Sequence, residues 1–108
     1  MSTAFKAALI QLNAGPEVGP NIDLGVTLIR EARGAGADFI LTPETSDLLE
    51  PSGEALMAKV RHETDHVGLR RYRDLAKELA CWLSIGSFLI KTEDQRPSNR
   101  SFLISPRG

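Results

Sequence analysis

Residues 5–12 read Phe-Lys-Ala-Ala-Leu-Ile-Gln-Leu, apolar at most positions and without alternation. That pattern predicts a short strand buried between layers on both faces, not one half exposed to water. Residues 13–20 gather Gly15, Pro16, Gly19 and Pro20, which predicts a loop. From Asn21 the period changes: Ile22, Val26 and Ile29, with Leu24, Leu28 and Ala32, form one broad face at helical spacing. Asn21 is the expected cap of this helix, with Asp23 in its first turn, and Gly34-Ala35-Gly36 is its expected end.

Asp38 to Thr42 is a second apolar run, stopped by Pro43, which cannot donate to a central ladder. Residues 45–66 are polar and charged, with a short helix expected at 54–60. Over 67–80, Leu69, Tyr72, Leu75, Ala76 and Leu79 fall on one helical face, opposite Arg70, Arg71, Arg73, Asp74, Lys77 and Glu78. Residues 82–90 and 99–104 read as a third and a fourth strand, paired as a hairpin across the polar turn 92–98. This order predicts an α/β fold with helices packed on a mixed sheet. Residues 105–108 form a turn that ordinarily feeds a further strand, so the expectation is a chain cut short. Ile85, Phe88, Ile90, Phe102 and Ile104 are then expected on an inner sheet face that lacks its cover.

With 108 residues, 42% hydrophobic and 25% charged, the chain has room for one ordinary domain and not for two. A formal net charge of −1 gives no electrostatic footprint for nucleic acid or for an anionic membrane. The apolar runs fall far short of the roughly 20 residues that span a bilayer. The amino terminus lacks the pattern of an export signal, and the single cysteine, Cys81, cannot close an internal disulfide. A cytoplasmic protein is the expectation.

Glu44 is the most informative position for chemistry. An apolar strand that delivers an acid at its carboxyl end presents it to the crevice where α/β sheets bind ligands, and a carboxylate partly desolvated beneath Pro43 could serve as general base. A solvated loop glutamate is the plainer reading of the same residue. Cys81 sits between Ala80 and Trp82 with no local base or positive field, which favours a buried small hydrophobe over a nucleophile. His62 and His66 stand four apart but lie among Arg61, Glu63 and Asp65, which favours a solvated surface over metal ligands. The charges of Arg70, Arg71, Arg73, Asp74, Lys77 and Glu78 largely cancel along their helix. Asn99-Arg100-Ser101 suits ordering of the start of the last strand through side-chain to backbone hydrogen bonds, although Arg100 could alternatively meet a substrate carboxylate.

Taken together, residues 6–12, Asn21, the run Gly36-Ala37-Asp38-Phe39-Ile40-Leu41-Thr42-Pro43-Glu44, Ile85-Gly86-Ser87 and residues 99–104 resemble the amino-terminal part of the nitrilase superfamily of carbon–nitrogen hydrolases. Gly-Ser and Asn-Arg-Ser look most like its Nit-type amidase branch, which includes the omega-amidases. The resemblance implies the amino-terminal portion of a four-layer αββα sandwich, a partial domain over 1–108. It also implies a Glu-Lys-Cys triad in which Glu44 matches the general base. The lysine and the nucleophilic cysteine would lie beyond Gly108, and neither Lys91 nor Cys81 stands where they belong. No cofactor or metal is implied, and the substrate class is a small linear amide. Two classes of function stay open: a truncated member, fragment or split subunit of an amidase, or a non-catalytic α/β module that folds alone or pairs with another chain; the expected partner is a second copy or a complementary carboxyl-terminal half.

Overall fold

A computed structural model describes residues 4–94 and 96–108; residues 1–3 and Gln95, assigned above to the amino terminus and to the polar turn, lie outside the described residues. The elements are β1 (Ala7–Leu9), α1 (Val18–Gly34), β2 (Phe39–Thr42), α2 (Gly53–Lys59), a 3-10 turn (Glu63–Asp65), α3 (Val67–Leu79), β3 (Trp82–Ile90) and β4 (Ser98–Ile104). The four strands form one mixed sheet in the order β1-β2-β3-β4, parallel across the first two pairings and antiparallel in the last.

The register sorts the side chains into two faces. Ala8, Ile40, Leu83 and Ile104 form one row across the sheet, and Thr42, Ile85 and Phe102 form the next. On this face Ile40, Leu83, Ile85, Phe88, Ile90 and Ile104 join Ile22 and Ile29 of α1 and Leu69, Tyr72, Leu75 and Ala76 of α3 in a single core. The expected uncovered set was therefore assigned to the wrong side: Ile85, Phe88, Ile90 and Ile104 are buried and Phe102 packs against them. Strands alternate sides with period two, so away from the irregularity at Gly86 and Ser87 the positions between these residues lie on the open face. Leu9, Leu41, Ser84 and Leu103 make a row on that opposite face. There Leu9 is 80% and Leu103 63% exposed, as is much of Phe5 and Trp82.

The long first strand is also shorter than its apolar run. Only Ala7–Leu9 is strand and it sits at the sheet edge, so the expected burial on both faces is corrected: Ala8 is half-buried against the core while Ala7 and Leu9 are exposed. Helix α1 begins three residues before the expected cap, because Val18, Gly19 and Pro20 form its first turn. Proline is tolerated there, where its missing N–H has no partner to lose. Asn21 is thus not the cap; Glu17 holds that position without a side-chain cap bond, and no acidic residue lies in the first turn. At the other end Gly36 takes a φ of 98°, the left-handed geometry expected of this glycine pair, and Ala37 N–H closes the helix on Ala32 O. Arg33 then ties the corner together, donating to Leu79 O, Ala37 O and Asp38 Oδ1.

Helices α1 and α3 cross closely because two glycines give them room. A Cβ on Gly68 would drive into Ile22, and one on Gly25 would collide with the Tyr72 hydroxyl and stand 3.1 Å from Cζ. The charges on α3 do not simply cancel along their own helix, since Arg71 pairs with Asp23 and Glu78 with Arg30, both across to α1. Tyr72 is fully buried and its hydroxyl has no hydrogen-bond partner among the described residues. Burial pushes this phenol up to about 12, from an ordinary value of 10.0.

A leftover buried donor is a cost, so Tyr72→Phe is expected to be neutral or to stabilise by about 1 kcal/mol. Gly25→Ala is expected to destabilise by about 1–3 kcal/mol through overpacking. Combining it with Tyr72→Phe should recover most of the loss, because only the 3.1 Å contact with Cζ remains. Urea melts of the three variants check this, and a double variant no better than Gly25→Ala alone would refute it. The raised phenol also contributes stability that is intact below pH 10 and lost between 10 and about 12, a decline that Tyr72→Phe should remove.

Candidate active site

β2 runs parallel to both of its neighbours, so its carboxyl end lies at the edge where parallel strands present functional groups. Pro43 stops the strand there and Glu44 follows. Its side chain is exposed and makes no hydrogen bond or ion pair among the described residues. The expected partial desolvation beneath Pro43 does not arise among the described residues, where Glu44 is exposed. A cavity of about 460 Å³ lined by Phe5, Asp38, Phe39, Trp82 and Leu103 lies at the opposite strand ends, away from Glu44.

What fixes Glu44 is its backbone. The turn after β2 lies against an irregularity in β3, where the register slips by one residue between Ile85 and Phe88 so that Gly86 and Ser87 face β4 together. Gly86 is required for the approach: a Cβ there would stand 2.5 Å from Pro43 C, 2.6 Å from Pro43 O and 2.6 Å from Thr42 O. Ser87 then grips the turn. Its hydroxyl accepts the Thr45 N–H at 2.7 Å and donates to Asn99 Oδ1 at 3.3 Å, and its carbonyl accepts the Ser46 N–H at 3.1 Å. Thr45 sits in the left-handed region at φ 50°. For a β-branched residue that conformation costs about 1–3 kcal/mol and persists only where its surroundings over-determine it.

The other end of the turn is held from within the core. Asp47 and His66 are buried, and His66 Nε2 lies 2.8 Å from Asp47 Oδ2. His66 is the cap of α3, its Nδ1 accepting the Leu69 N–H at 3.0 Å. This leaves Nε2 as the protonated nitrogen that donates to Asp47. The Asp47 carboxylate also accepts the Leu89 N–H, at 3.1 and 3.2 Å, and the imidazole stacks on Phe88 at 4.5 Å. Asn21 completes the frame: its amide donates to Asp47 O and Gly15 O and accepts the Gly15 N–H. A polar residue in the first turn of a helix thus bridges two loops instead of capping its own helix.

The expected histidine surface is accordingly corrected for one of the pair. His62 is exposed, with Nδ1 at 3.1 Å from Lys91 O, whereas His66 is an interior cap with a carboxylate partner. The two do not converge, and among the described residues no cluster of three metal-ligating side chains forms. Cys81 is buried just before β3, where burial pushes its thiol up, against a nucleophilic role. Of Asn99, Arg100 and Ser101, only Ser101 makes the expected side-chain to backbone bond, its Oγ donating to Gly86 O at 2.6 Å; Asn99 Oδ1 accepts from the Ser87 hydroxyl and Arg100 pairs with Glu63 at 2.9 Å, outside the hairpin. Asp47 was missed as a structural centre. The only signal in the sequence is an aspartate followed by two leucines inside an otherwise polar loop.

No described helix is long and apolar enough to cross a membrane. The chain matches the carbon–nitrogen hydrolase family model over residues 6–108. It is 29% identical to human deaminated glutathione amidase, covering 94% of this chain and 32% of that protein, and 28% identical to the rat protein, covering 99% and 35%. The chain therefore spans about a third of the length of these curated relatives. Among solved structures, the Caenorhabditis elegans NitFhit protein superimposes with a TM-score of 0.80 at 23% identity, over 95% of this chain and 25% of that one. An amidase from Nesterenkonia sp. superimposes with a TM-score of 0.78 at 25% identity, over 95% of this chain and 39% of that one. The helix layer and four-stranded sheet described above are thus a part of the nitrilase-type fold, and a family match that runs through nearly every element places this chain in the carbon–nitrogen hydrolase family.

Proposed function

We propose that this chain supplies the general base, Glu44, of an amidase site that hydrolyses small linear amides, with the lysine and the nucleophilic cysteine coming from outside its 108 residues. The observation that carries the reading is the turn itself: a strained backbone, locked on Gly86 and Ser87, presents at the carboxyl end of β2 an exposed carboxylate with no partner among the described residues. In the reaction Glu44 takes the proton of the cysteine thiol and the thiolate attacks the amide carbon. The lysine stabilises the tetrahedral intermediate; as it collapses the C–N bond breaks, Glu44 passes the thiol proton to the leaving nitrogen and ammonia departs from the thioester, and water then adds to the thioester to give the acid and restore the thiol. No cofactor or metal enters this chemistry.

The second reading, a non-catalytic module that pairs with another chain, draws on the open apolar row Leu9, Leu41 and Leu103. The two readings separate on activity. In an assembly that contains the lysine and the cysteine, release of ammonia from butyramide should depend on Glu44. The 108-residue chain alone is expected to release none, and Cys81→Ala should leave that blank unchanged. Turnover by the purified chain that disappears with Cys81→Ala would overturn the assignment of the nucleophile.

A further inference from the structure

We propose that Asp47 and His66 are a positioning pair for Glu44, two interior side chains that hold the turn carrying the base without belonging to the reacting centre. The proposal rests on the reading of Glu44 as general base. Glu44 has no side-chain partner of its own among the described residues, so the place of its carboxylate is inherited from the backbone between Thr42 and Leu48. That backbone is gripped at two points. Ser87 holds Thr45 and Ser46 from β3, and the Asp47 side chain holds the far end against Leu89 N–H and His66.

The pair is built so that neither member can be exchanged freely. Asp47 is 1% and His66 5% exposed, so water does not substitute for a lost partner. The Leu69 N–H fixes which imidazole nitrogen is free to donate, and Asp47 accepts from both sides. An amide at position 47 would still accept from Leu89, but its NH₂ would then face the His66 N–H, donor against donor. Changing the histidine tautomer to relieve that clash would remove the cap of α3. The strained Thr45, two residues before Asp47, would lose one of the two constraints that hold it left-handed. The ordinary reading of such a pair is fold stability alone; that reading predicts a loss spread over the whole molecule, whereas a positioning role predicts one confined to the Glu44 turn.

Two measurements decide between them. In the 108-residue chain, hydrogen exchange of Asp47→Asn should quicken at the Thr45 and Ser46 amides by about tenfold or more, while Leu83 and Ala76 keep their protection. Unchanged exchange at Thr45 and Ser46, or equal acceleration everywhere, overturns the proposal. In the complete amidase assembly, Asp47→Asn should lower kcat/KM about tenfold beside Glu44 and less than about twofold in a Glu44→Gln background, since a positioning residue has nothing left to position. The same factor in both backgrounds would overturn the positioning role and leave Glu44 as base, whereas a fully active Glu44→Gln would remove the base and the pair's purpose together. Should Asp47→Asn fail to fold, His66→Ser keeps a capping oxygen on a side chain too short to reach Asp47, and the same outcomes apply.

Discussion

Glu44→Gln, measured in an assembly holding the lysine and the cysteine, is expected to lower kcat/KM about 10²-fold or more without lowering stability. Glutamine keeps the length and planarity of the side chain and loses only its ability to take a proton. The absence of a stability cost is as informative as the rate. Glu44 is exposed and makes no hydrogen bond or ion pair among the described residues, and substitutions at such surface positions change stability by no more than about 0.5 kcal/mol. A rate loss with an unchanged melt therefore isolates the chemical role. Normal kinetics in a folded variant would return Glu44 to the solvated loop residue that its local sequence equally allowed.

The second large effect concerns the uncovered face of the sheet. Leu9, Leu41 and Leu103 lie in one cross-strand row, beside Phe39 and Trp82 in the next, and no described element packs over them. Covering a few hundred Å² of such surface is worth several kcal/mol at about 25 cal/mol per Å², comparable with the roughly 5–15 kcal/mol that holds a small domain together. Purified alone, the chain is expected to self-associate through this face. Sedimentation should report species above 11.8 kDa, and Leu9→Lys with Leu103→Lys should shift them toward the monomer. Lysines at these exposed positions repel a second copy without entering the core beneath α1 and α3. A monodisperse 11.8 kDa species that melts cooperatively before any substitution would refute the expectation.

Much of the architecture was legible because it is written in local periodicity. The α3 face of Leu69, Tyr72, Leu75 and Ala76 and the span of β3 follow from spacing alone, and both match the structure. Glu44 was legible for the same kind of reason: an apolar run, a proline and then an acid place a carboxylate at a strand end whatever the rest of the chain does. Errors arose where one signal served two geometries. Asn21 is an excellent cap residue, yet an asparagine whose amide can both donate and accept also bridges loops, and only the fold shows that Gly15 and Asp47 lie beside it.

The sequence by itself therefore determined the order of helices and strands, the α/β class, and the position of the acid just past the end of β2. Each depends on residues close together in the chain, where steric and hydrophobic periodicity act directly. Which side of each strand is covered, by contrast, is a question of register between segments distant in the chain, and a one-residue slip exchanges the two faces. That is why apolarity alone points Ile85 and Phe88 to the open side while the helices in fact close over them. The burial of His66 against Asp47, the collision that keeps position 86 a glycine, and the grip of Ser87 on Thr45 were likewise decided only by tertiary structure. Each joins residues 19 to 44 positions apart, and no local pattern encodes such a distance.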